Sequence, residues 1–294
     1  MTTEMVLEER FVPVPGGRVW TGIYGGGDET PLLVLHGGPG TPSYYLSALA
    51  RLGDDRPIVL FDQLGCGRSE RPDDVSLWSV DRAVAEVDAV RWQLGLTDIY
   101  VLGHSWGGYL ALAYARAHAG RVRAMLLSSP LVSVAEWMED AAELVSRLPP
   151  HRREMISKFE ALGEFDNPAY LDATKDFYRR FFCNLEPWPP ELLQTFDEMG
   201  TQPYEAMWGP SEFTQTGSLR GADLAPSLGE LKLPTLWLCG SSDEVAPPRL
   251  ARFAKLAGGV AHVFDGGTHC VHLEQPELYL DVVRDFLRSQ DESS

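Results

Sequence analysis

A chain of 294 residues with 44% hydrophobic and 23% charged side chains has the length and composition to fold around a sizeable buried core. Its formal charge of −17, from 42 acidic against 25 basic side chains, argues against nucleic acid and anionic lipid as partners and mildly favours neutral or cationic small molecules. No run approaches the roughly 20 apolar residues of a membrane span, MTTEMVLEERFVPVPGG carries acids where a secretion signal carries bases, and four scattered cysteines without a CxxC pair argue against a disulfide framework or zinc knuckle, so a soluble, cytoplasmic chain is expected.

In chain order, ERFVPVP and RVWTGIY alternate about Gly16 and Gly17, which reads as a hairpin. PLLVLHGGPG is a short apolar run ending in glycines, PSYYLSALARL follows as a helix, and RPIVLFD is a second buried strand. Val80, Val84, Val87, Val90 and Leu94 have helical spacing, stopped by Gly95. DIYVLG is a third buried strand, WGGYLALAYARAHAG a helix and VRAMLLSSP a fourth strand. The texture then changes to aromatics, prolines and helical patterns (AAELVSRL, DATKDFYRRFF, ELLQTFDEM) without a convincing buried strand. The strand and helix rhythm resumes with LPTLWLCG, PRLARFAKL, AHVFDGG and a closing helix from Pro276 to Arg288, while SQDESS reads as disordered. Buried strands alternating with helices imply an α/β fold with a mostly parallel sheet covered on both faces. The helical stretch is best explained as an insertion: residues 1–132 and 231–294 form the core, and 133–230 the inserted helical unit.

GHSWGG, between a strand and a helix, fits G-x-S-x-G, a turn so tight that its flanks must be small and Ser105 is pushed out above the sheet. A serine hydroxyl is a poor nucleophile unless a histidine takes its proton and a carboxylate fixes that histidine's tautomer. With the motif's usual chain order, SSDEV after a strand offers Asp243, with Glu244 as competitor, and DGGTHCVH offers His269, with His272 as competitor. An oxyanion needs preorganised N–H donors: the amide of Trp106, and one from HGGPG, with Gly38 chosen over Gly37. HGGPGTPSYY lacks the P-loop and dinucleotide fingerprints, so a nucleotide site is not expected. Cys270 reads as a packed thiol rather than a nucleophile.

LHGGPG, FDQLGCGRSERP, VRWQLGL, LGHSWGGYLALAYA, MWGPSEFTQTGSL and GSSDEV together resemble the proline iminopeptidase branch of the α/β-hydrolases, which includes tricorn-interacting aminopeptidases and amino acid amidases; the similarity runs over nearly the whole chain. The resemblance implies a helical cap over the site and a triad of Ser105, Asp243 and His269. It also implies that Glu212, in the cap's GPSEFT, and Glu244 hold the substrate's free ammonium; a buried cation needs such partners. Ser211 stands where many relatives have asparagine. Trp137, Tyr204, Trp208 and the PWPP stretch are candidates to line a proline-sized pocket. The expected activity is release of N-terminal residues from short peptides or amino acid amides through an acyl-enzyme, without metal or cofactor. An esterase, thioesterase or acyltransferase with the same triad, and a non-catalytic binding protein, are the alternatives.

Overall fold

A computed structural model describes residues 7–292; MTTEMV at the start and the last two residues of SQDESS lie outside it. The strands are β1 (Leu7–Val14), β2 (Gly17–Tyr24), β3 (Leu32–Leu35), β4 (Ile58–Phe61), β5 (Ile99–His104), β6 (Val122–Ser128), β7 (Thr235–Gly240) and β8 (Val260–Phe264). They form one 8-stranded sheet in the order β1-β2-β4-β3-β5-β6-β7-β8. β1, β2 and β4 pair antiparallel, the hairpin turning at Gly16 with φ 97°, and β4 through β8 pair parallel.

The continuous apolar runs are explained by burial on both sheet faces. Leu33, Leu35, Val59 and Val101 meet one layer, formed by α1 (Val80–Gln93), α2 (Trp106–Ala117) and α8 (Pro247–Ala257). Their neighbours Leu32, Val34, Leu60 and Leu102 point the other way, as period-two geometry requires, toward the Ser43–Leu52 segment and α10 (Pro276–Asp291). Each such side chain contributes roughly 1.5–3 kcal/mol on full burial. The helix expected over PSYYLSALARL forms as Ser43–Leu52 and winds as a 3-10 helix, placing buried Ser43, Leu46, Leu49 and Leu52 in one line at a spacing of three. The closing helix corrects the expected end. It continues through Ser289 to Asp291, because Asp291 accepts from Arg56 Nη2 at 2.6 Å and Tyr100 OH at 2.9 Å.

Between β6 and β7 lie α3 (Val134–Ser146), α4 (Pro150–Leu162), α5 (Pro168–Phe177), a π-helical turn Tyr178–Phe182, α6 (Pro190–Asp197) and α7 (Thr201–Met207). Proline opens α4, α5 and α6, where its missing N–H costs nothing. Leu144, Leu148, Ile156, Phe159, Tyr170 and Phe177 give this region a small core of its own. α9 (Val271–Glu274) precedes α10. Among the described residues, no helix is long and apolar enough to cross a membrane.

Candidate active site

β3 lies between β4 and β5, so the chain leaves it to one side and later returns to the other. At such a switch point the loops after two adjacent parallel strands diverge and leave a crevice. HGGPG follows β3, and Ser105 follows β5. Ser105 sits at φ 56°, ψ −122°, outside the regions ordinary residues favour. The glycines of the motif have steric reasons: a Cβ on Gly103 would lie 2.2 Å from Gly107 O, and one on Gly107 would lie 2.1 Å from Leu35 O.

The loop after β7 delivers Asp243, whose Oδ1 is 2.9 Å from His269 Nδ1. Asp243 also accepts from Val245 N at 3.2 Å, Gly240 N at 3.0 Å and the Ser129 hydroxyl at 2.6 Å. Four donors compensate the buried carboxylate and fix its plane. A carboxylate can only accept, so His269 Nδ1 carries the hydrogen and Nε2 of the neutral ring remains an acceptor. His269 N donates to Phe181 O at 2.9 Å and Cys270 N to Phe182 O at 2.8 Å, so the π-helical turn clasps the histidine loop. Ser105 and His269 line the same cavity without a hydrogen bond between them among the described residues; such contacts commonly tighten only in the substrate complex.

Gly38 and Trp106 also line the cavity. Gly38 has φ 110°, and a Cβ there would approach Gly40 N to 2.6 Å and Thr41 N to 2.7 Å, so the loop requires glycine. Gly37 N donates to Tyr45 OH at 2.9 Å and is therefore engaged elsewhere. Trp106 N is one of the unpaired amides that open α2.

The cavity, of about 350 Å³, lies between these loops and the helical region, with Trp137, Tyr204 and Trp208 in its apolar wall. The PWPP residues do not line it; Trp188 stacks on Phe196 instead. Glu244 is buried, lines the cavity, and its Oε1 meets no hydrogen-bond partner among the described residues, while its Oε2 is 3.8 Å from His269 Nε2. Burial, then Glu212 and Asp243, push the Glu244 carboxyl well above its usual range. Burial likewise raises Glu212, which is held loosely by Trp137 Nε1 and Tyr204 OH, both at 3.4 Å. Two carboxyls thus face one cavity with lone pairs to spare. Ser211 is engaged with its own turn and with Glu160, at 2.8 and 3.0 Å, which Tyr170 and Thr214 also contact. Cys270 and His272 are buried and do not line the cavity.

Sequence reasoning missed Ser129, Tyr45 and His104. Ser129, at φ 48°, reaches Asp243 across 114 residues of chain. Tyr45 OH is 2.8 Å from His104 Nδ1, and His104 Nε2 is 3.0 Å from His269 O. No local pattern announces such pairings; only the histidine inside GHSWGG was in view.

Residues 30–276 match the family model for the alpha/beta hydrolase fold. The chain is 40% identical to the proline iminopeptidase of Heyndrickxia coagulans over 284 residues, 96% of this chain and 99% of that one. It is 35% identical to the proline iminopeptidase of Saccharolobus solfataricus, covering 96% of this chain and 92% of the relative. The crystal structure of the proline iminopeptidase of Mycobacterium smegmatis superposes with a TM-score of 0.90 at 32% identity, covering 97% of this chain and 99% of that one.

Proposed function

This chain belongs to the proline iminopeptidase family of α/β hydrolases and is a hydrolase of aminopeptidase type; we propose that it releases proline or another small apolar residue from the amino terminus of short peptides or amino acid amides. The helical region, residues 133–230, is a cap under which the substrate enters amine first. The observation that carries this reading is Glu244: a buried carboxyl with an unpartnered oxygen, beside Glu212, in the wall of the cavity that also holds Ser105. A buried acid without a partner is costly, and a substrate ammonium removes that cost. An internal peptide bond brings no such charge, so the site selects chain ends.

In this mechanism Ser105 Oγ attacks the carbonyl carbon while His269 Nε2 takes its proton, and Asp243 stabilises the imidazolium that forms. The N–H groups of Gly38 and Trp106 hold the developing oxyanion, an interaction that strengthens as charge accumulates. His269 then gives the proton to the departing amine. Water, deprotonated by the same imidazole, attacks the acyl-enzyme and frees the amino acid and Ser105. Each proton removed is returned, so the cycle requires no external oxidant or reductant.

The test is Glu212→Gln and Glu244→Gln, assayed on a prolyl aryl amide and on a simple aryl ester that has no amine. Amide kcat/KM is expected to fall by roughly 100-fold or more, as for loss of a buried charge partner, with ester turnover within a few-fold of the parent. Equal losses on both substrates would overturn the amine anchor and leave ester, thioester or acyl-transfer chemistry as the reading.

A further inference from the structure

His104 precedes the reactive serine in sequence and, with Tyr45, lines the cavity beside Ser105 and His269, its buried ring held on both nitrogens. Its Nε2 is 3.0 Å from the carbonyl oxygen of His269. A carbonyl only accepts, so this nitrogen carries the hydrogen. Burial, with His269 and His272 close by, holds His104 well below the usual histidine range, so the ring is neutral and Nδ1 is an acceptor. Tyr45 OH, 2.8 Å from Nδ1, must then be the donor, and its oxygen accepts from Gly37 N at 2.9 Å. The direction of every hydrogen bond is thereby fixed: Gly37 N–H to Tyr45 O–H to His104 Nδ1, and His104 Nε2–H to His269 C=O. The ring also packs 4.7 Å from that of His269 and 5.2 Å from that of Tyr45, centroid to centroid.

We propose that Tyr45 and His104 are positioning residues that tie the oxyanion loop, at Gly37, to the backbone of the general-base histidine, His269, through the residue that precedes Ser105. This rests on the reading of Ser105, His269 and Gly38 given above. Three parts of the site come from three separate loops, after β3, β5 and β8, and must hold their mutual spacing to a fraction of an ångström for catalysis. The chain meets all three at one imidazole. Its polarity admits one protonation state of His104, so the spacing does not vary with alternative tautomers. The engagement of Gly37 N by Tyr45 also turns the next amide, Gly38, rather than Gly37, toward the reaction.

The experiment is Tyr45→Phe, which deletes one oxygen and keeps the ring, with active sites counted by fluorophosphonate titration. Removing a direct oxyanion donor costs about 100- to 1,000-fold in kcat; loss of its support is expected to lower kcat by about 10- to 100-fold, with KM within about 3-fold. The boronic acid analogue of proline, which places an oxygen in the oxyanion site once bound to Ser105, should lose affinity by the same factor as kcat. Binding of free proline should not change. His104→Asn, which cannot reach the His269 carbonyl, reads the other end of the chain. The double variant should lose little beyond the larger single effect, since both act through one linkage. A lower melting temperature with unchanged kcat per titrated site, or equal weakening of boronate and proline binding, would overturn the proposal. Should Tyr45→Phe not fold, unchanged kcat in folded His104→Asn overturns it equally. Ser105→Ala keeps the two failures apart: full activity in that variant overturns the underlying reading, whereas its inactivity beside an unaffected Tyr45→Phe overturns this inference alone.

Discussion

On the proposed function, Glu244 would couple stability to amine binding through one carboxyl. Its folded-state pKa lies above the value of an unfolded glutamate because of burial and the neighbouring Glu212 and Asp243. The sign follows from linkage: a group that binds its proton more tightly in the folded state favours folding below the unfolded pKa and costs stability as pH rises beyond it. Glu244→Gln removes that dependence. The variant is therefore expected to melt higher than the parent at pH 9 by a larger margin than at pH 5, read by calorimetry at both values, even as aminoacyl amide turnover falls. A margin independent of pH would contradict the raised carboxyl. The same proton should leave when an ammonium binds, so titration of a non-hydrolysed amine in buffers of different ionisation enthalpy should report proton release that disappears in Glu244→Gln. At this scale the sequence was legible where residues act through chain neighbours. Gly103, Ser105 and Gly107 share one turn and announce themselves by spacing. Ser129 and Tyr45 act on groups 114 and 59 residues away, and nothing in LLSSP or SYYL signals those partners.

Among the elements, α3 and α8 are joined by charge. Arg249 donates through Nε to Asp140 at 2.7 Å and through Nη2 to Asp140 at 3.0 Å and Glu139 at 3.1 Å, and it also contacts Glu136. Asp140 accepts in addition from Ala246 N at 3.0 Å, three residues beyond Asp243. This fork thus anchors the first helix after β6 to the loop that carries the carboxylate partner of His269. Breaking a largely buried pair from one side costs about 3–5 kcal/mol. Arg249→Ala should lower the melting temperature by several degrees and slow kcat, and Arg249→Lys should restore little, because a point charge cannot span both Asp140 oxygens. Recovery by lysine would mean that charge alone matters. Elements were readable from periodicity wherever a run faces one environment, as β3, β5 and β7 do. The Ser43–Leu52 segment was legible as a helix but not as a 3-10 one, because spacings of three and four overlap in ten residues. The end of α10 was hidden for a different reason: Asp291 is polar by composition but satisfied by Arg56 and Tyr100, far away in sequence.

For the molecule as a whole, the excess of acid is not spread evenly with respect to the cavity. Its charged lining residues are Asp166, Glu205, Glu212 and Glu244, and no lysine or arginine lines it among the described residues. Asp166 and Glu205 are exposed and so mark its opening to solvent, whereas Glu244 is buried within. A substrate that enters amine first satisfies the inner acids and leaves its departing group directed toward the outer ones. A free dipeptide then sets its carboxylate against Asp166 and Glu205 with no cation to meet it, while the corresponding dipeptide amide sets a neutral group there. Two like charges about 4 Å apart repel by about 1 kcal/mol in the dielectric of water, which applies to exposed groups, so a selectivity of roughly 3- to 10-fold in kcat/KM is expected for prolyl-alanine amide over prolyl-alanine at low salt. Because the screening length shrinks from about 10 Å at 0.1 M to about 3 Å at 1 M, the ratio should approach one as salt is added. The pair Asp166→Asn and Glu205→Gln should remove the preference without altering kcat for the amide. Equal rates for the two substrates at low salt, or a preference that survives 1 M salt, would assign the selectivity to contacts other than these charges. If the prediction holds, the chain's acidity sets which leaving groups it accepts, and the substrates it favours are amides and longer peptides whose carboxylate lies clear of the opening.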